Sequence, residues 1–64
     1  MSAVSDLTFL GAPIGDPRAT AAFIGRMVIT RRQKAALLTA FLSERRVALS
    51  ADVRAASADF QEFL

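Results

Sequence analysis

A chain of 64 residues holds one domain at most, and at this length folding buries only about 60% of the surface that the unfolded chain exposes. Cysteine, histidine and tyrosine are all absent, which excludes disulfides and the usual zinc sites as reinforcement and removes the common general base and the best nucleophile from any catalytic reading. The net charge of +2 and the pI of about 10.5 leave a polyanionic partner open without requiring one.

Residues 1–16 carry Val4, Leu7, Phe9, Leu10 and Ile14, broken by Gly11, Pro13 and Gly15. The pattern has neither a helical period nor room for a sustained strand, so it predicts an extended apolar arm. The arm either folds back over the helices that follow or adds Leu7–Leu10 to the edge of a partner's sheet. Five large apolar side chains make it too apolar for a solvated tail.

Asp16–Pro17 is a helix start, with aspartate as the N-cap and proline tolerated at the first helical position. A first helix over about 17–28 would put Ala21, Phe23, Ile24, Met27 and Val28 on one face, and Gly25 inside it costs about 1 kcal/mol relative to alanine. The β-branched run Val28-Ile29-Thr30 then predicts a break. Without that break, Pro17 to Arg46 would be one long helix.

The second helix, over about 31–46, is the strongest element. Thr30 followed by Gln33 reads as a capping box, and Ala35, Leu37, Leu38, Phe41 and Leu42 fall on one face at about 100° per residue. A third helix is predicted over about 51–63, with Ser50 as N-cap, Asp52 in the first turn, and Val53, Ala56, Phe60 and Phe63 as its stripe. The 47–50 connection is short enough to make the second and third helices antiparallel neighbours, bringing Arg45 toward Asp52 and Lys34 toward Asp59 or Glu62.

The expected fold is therefore all-α: a small three-helix bundle or helical hairpin over 17–64, with an extended N-terminal arm over 1–16. No cofactor or metal is expected. Asp59 and Glu62 are one turn apart and could share a proton or an ion, but a solvated acidic flank accounts for them. The three glycines do not have the spacing of a phosphate-cradling loop.

Charge is uneven: residues 17–46 carry seven basic groups against Glu44, and residues 50–64 carry Arg54 against three acids. Seven arginines against one lysine could suit phosphate or carboxylate recognition, but with so much alanine a GC-rich genome is the simpler cause. Arg26, Arg31, Arg32 and Arg46 are the candidate phosphate contacts. A helix-turn-helix docking would present Asp52, Asp59 and Glu62 to the polyanion, which is the wrong sign. Membrane binding ranks lower still, because Lys34 and Arg45 sit at the two ends of the apolar face itself.

The start of the sequence lacks a signal-peptide pattern, and the apolar stretch 21–29 is interrupted by Gly25 and Arg26, short of the ~18 residues that span a bilayer. The expectation is a soluble protein in an intracellular or virion setting. The function expected is that of a non-catalytic interaction component, a small accessory or minor structural subunit of a larger assembly such as a virion or similar particle. It would dock on a larger protein or on its own copies through Leu7, Phe9, Leu10, Ile14, Phe60, Phe63 and Leu64. The alternative is a small dimeric nucleic-acid-binding regulator using the basic face of the first two helices.

Overall fold

A computed structural model describes residues 2–64 and is all-helical, with 63% of the chain in helix. Four α-helices, α1 (Ala3–Phe9), α2 (Pro17–Gly25), α3 (Arg31–Arg45) and α4 (Ala51–Ala56), are followed by a 3-10 turn at Gln61–Phe63. The body measures 25 × 24 × 16 Å, and α3, at about 1.5 Å per residue, is nearly as long as its largest dimension. Helices α1 and α2 and the 3-10 turn all pack on α3, whereas α4 packs chiefly on α2.

The N-terminal arm is corrected: residues 3–9 form a helix rather than an extended segment. Its ends explain why. The Ser2 side chain accepts from the Ser5 N–H at 3.0 Å. At the other end Gly11, at φ +87°, donates to the Thr8 carbonyl while Ala12 donates to that of Leu7, the paired bonds of a Schellman stop. Leu7 is then completely buried, and the following loop is pinned where the Thr20 hydroxyl donates to the Pro13 carbonyl at 2.8 Å.

Helix α2 begins as expected, with the Asp16 carboxylate accepting from the Arg18 and Ala19 N–H groups. It ends at Gly25, earlier than the expected residue 28, because the chain must become extended at Thr30 to start α3. Val28 consequently leaves the apolar face on which the longer helix would have placed it and is fully exposed. Gly25 faces the core, and a methyl group there would meet Phe60 at an ordinary contact distance of 3.8 Å.

Both halves of the capping box on α3 form: the Thr30 hydroxyl accepts from the Gln33 N–H at 3.0 Å and the Gln33 side chain accepts from the Thr30 N–H at 2.9 Å. The buried face, Ala35, Leu38, Phe41 and Leu42 with Leu37 partly buried, is the one its period dictates. A second Schellman pair closes α3, Arg46 to Ser43 and Val47 to Leu42. Here an arginine, at φ 54°, occupies the left-handed position that glycine fills in α1.

The helix expected over 51–63 is also corrected. Ser57 ends α4, its hydroxyl donating back to the carbonyls of Val53 at 2.9 Å and Arg54 at 3.1 Å, a side-chain competitor to continued helix. The chain then turns, buries Phe60 completely and reaches the start of α3 through Gln61–Phe63. The expected antiparallel pairing of the last two helices is replaced by packing of α4 on α2.

The core comprises Leu7, Ala21, Ile24, Ala35, Leu38, Phe41, Leu42, Val53 and Phe60, with Ala3 at its edge. Accessible surface totals 4073 Å², close to the roughly 4000 Å² expected of a folded monomer of this mass.

The two helix stops make a paired prediction. Gly11→Ala should destabilise by about 1–2 kcal/mol, because no atom lies within 4 Å of the added methyl and only the left-handed backbone opposes it. Arg46→Gly should stabilise by up to about 1 kcal/mol. Urea midpoints at constant m-value measure both, and opposite signs are the expected outcome.

Candidate interaction surface

Sequence-predicted docking residues divide sharply. Leu7 and Phe60 have no exposed surface and belong to the core, so they are corrected from docking to structural residues. Leu7 is buried because the arm is a helix lying on α3, and Phe60 because the broken last helix tucks its ring inside. Ile14 is partly buried against the same cluster.

What stays outside is Phe9 at 88% exposure, Leu10 at 51%, and Phe63 and Leu64 at 37% each. Val28, missed because a longer helix was expected, is the most exposed large apolar side chain among the described residues. The β-branched run that predicts a break was the signal that could have found it.

Phe9 and Leu10 are adjacent at the end of α1, a helix held at its start by α3. The Glu44 carboxylate accepts from the Ala3 N–H at 2.8 Å and from the Val4 N–H at 3.1 Å. These bonds, with Ser2 on Ser5, satisfy the three leading N–H groups of α1 that have no partner within the helix. The two backbone donors hold the Glu44 carboxyl below the usual glutamate range, with the Ser2 hydroxyl adding to the effect.

The candidate phosphate contacts do not form one surface. Arg31 pairs with Glu62 at 2.9 Å, and the Arg32 guanidinium lies 4.7 Å from the centre of the Phe63 ring. Arg26 is exposed just beyond α2, while Arg46 is about 20 Å from Arg31 and Arg32, at the far end of α3.

Lys34 is buried instead of lying at the surface: its ammonium donates to the Gly25 carbonyl at 2.6 Å and sits 3.6 Å from Asp59. The expected approach of Lys34 to Asp59 is present. Arg45 and Asp52 form no ion pair among the described residues, since α4 lies on α2, and Glu62 meets Arg31 instead.

Asp16, Arg18, Ser50 and Asp52 line a shallow groove between the starts of α2 and α4, but the Asp16 carboxylate and the Ser50 hydroxyl are already engaged as helix caps. Among the described residues no group of three acidic side chains could hold a metal ion, and no helix is long and apolar enough to cross a membrane. No protein-family model matches the chain, and neither does any curated protein or solved structure.

Glu44 makes stability dependent on acid. A carboxyl whose folded pKa is depressed contributes stability in full above its unfolded value, and that stability is lost as pH falls through the folded value. Glu44→Ala should therefore lower the melting temperature near neutrality, with the gap to the parent closing progressively as pH drops through and below the ordinary glutamate range. Thermal melts from pH 7 to pH 2 follow that difference directly.

Lys34→Met keeps the aliphatic stem and leaves the Gly25 carbonyl without its donor. Its expected cost is about 1.5–3 kcal/mol, read from chemical denaturation.

Proposed function

We propose that the chain is a non-catalytic protein–protein interaction component, a small accessory or minor structural subunit of a larger assembly. A virion or a comparable intracellular particle would be a setting of this kind. The observation that carries the reading is the Phe9–Leu10 pair: two large apolar side chains, 88% and 51% exposed, on a helix pinned at one end by Glu44 and stopped at the other by Gly11. A fixed aromatic group offers large contact area at little entropic cost to a binding partner. The partner would add an interface to a body whose core, Phe41, Leu38 and Phe60 among it, is already buried.

Support for this over the nucleic-acid regulator comes from the arginines. Arg31 and Arg32 are engaged within the chain, and Arg46 lies at the opposite end of α3, so several aligned phosphate contacts would require rearrangement.

The test places a photo-crosslinking residue at position 9 and, as control, at the exposed position 39 of α3 in the cell that makes the protein. A discrete protein adduct from position 9 and none from 39 is expected. Phe9→Ser with Leu10→Ser should abolish binding of the protein so identified while shifting stability by no more than about 0.5 kcal/mol. No adduct at position 9, together with binding to mixed-sequence DNA that weakens steeply with salt, would replace this reading by the regulator.

A further inference from the structure

Arg31 and Arg32 occupy the first turn of α3, the positive end of the helix dipole, and no acidic residue shares that turn. Two adjacent cations are disfavoured there unless an anion is brought to them. The anion comes from another part of the chain: Glu62 reaches Arg31 at 2.9 Å, and Phe63 places its ring under Arg32 at 4.7 Å and Arg31 at 6.0 Å.

Residues 61–64 contribute no fully buried side chain, and both partners of the Arg31–Glu62 pair are more than half exposed. The segment's own backbone bonds, Phe63 to Phe60 and Leu64 to Gln61, are short-range. Phe60, by contrast, is completely buried, so the segment beyond it can lift away while the core keeps its last aromatic.

We infer that the arginine pair of α3 is a recognition site for an acidic residue followed directly by an aromatic, occupied in cis by Glu62–Phe63 and opened to a partner protein bearing the same chemistry when that segment lifts. The carboxylate answers one guanidinium and the ring face answers the other, a combination that neither an isolated phosphate nor an apolar helix supplies. One exposed ion pair and the contacts of one ring with two guanidinium groups favour the closed state over the open one by only roughly 5- to 30-fold. A partner loses that factor in apparent affinity to the competing segment.

The probe is a soluble peptide carrying Gln-Glu-Phe-Leu, titrated into the isotopically labelled full chain and followed by backbone amide shifts at residues 30–34. Glu62→Gln with Phe63→Ala opens the site, and unchanged amide positions for Leu38 and Phe41 show that the core is intact. The peptide midpoint should fall roughly 5- to 30-fold in the opened chain and by an intermediate factor in Glu62→Gln alone, which leaves a reading even where the double variant misfolds. Adding Arg31→Ala and Arg32→Ala should abolish the response. The inference is overturned by equal midpoints in intact and opened chains, by a response that survives loss of both arginines, or by a mixed-sequence DNA oligonucleotide that binds the opened chain while the peptide does not.

Discussion

Helices of six to nine residues do not stand alone in water, because each leaves several backbone N–H and C=O groups unpaired at its ends for very few bonds made inside. Three of the four helices here are that short, and side chains of α3 complete two of them. Glu44, near the end of α3, supplies the acceptors for the first two N–H groups of α1. Lys34, near its start, supplies the donor for the last carbonyl of α2. The longest helix therefore acts as a rod with a polar anchor near each end and an apolar face between them. Phe41, Leu38 and Ala35 can be buried because the backbones they are buried against have their hydrogen bonds satisfied.

Polar groups inside the body obey the same constraint. Thr20 and Ser57 have no exposed surface, yet each donates its hydroxyl to a carbonyl nearby in sequence, and no buried side-chain polar atom among the described residues lacks a partner. Ser57 links this local chemistry to topology. By bonding back to Val53 and Arg54 it ends α4, and the freed chain can turn Phe60 inward and carry Glu62 and Phe63 to α3. An unbroken helix would have kept Phe60 and Phe63 on one straight stripe, as their spacing alone suggests.

What was legible in the sequence followed the length of the element. Thr30 with Gln33, Asp16 with Pro17, and Ser50 each announced a helix start, and the face of α3 followed from its period over fifteen residues. Helix α1 was hidden because seven residues show a 3.6 period through little more than Ala3 and Leu7. Its punctuation, Ser2 at one end and Gly11 at the other, was visible, but glycine at 11 and 15 and proline at 13 read as general breakers rather than as one specific stop. For the docking residues, the sequence distinguished apolar from polar but not inside from outside. Leu7 and Phe60 differ from Phe9 and Phe63 in their position on the turn, and that depends on helix ends that composition does not reveal.

The charge asymmetry carries a related lesson. A run of seven basic groups over 17–46 beside an acidic 50–64 suggests a polyelectrolyte surface when each segment is considered alone. In the folded chain the acidic segment turns back on the basic one: Asp59 comes to Lys34 and Glu62 to Arg31. One of these cations is buried as a helix cap, and the other lies beside an aromatic ring, so the two differ in what they hold despite identical formal charge. The sequence pI of 10.5 therefore sums charges without regard to place, whereas the chemistry available at the surface depends on which arginines the 61–64 segment leaves uncovered. Arg26 and Arg46 are exposed and lie near opposite ends of α3, whereas Arg31 and Arg32 form a compact pair with a visible occupant. Recognition of the kind proposed would need the compact pair, because two planar cations at fixed spacing distinguish a carboxylate next to a ring from charge alone.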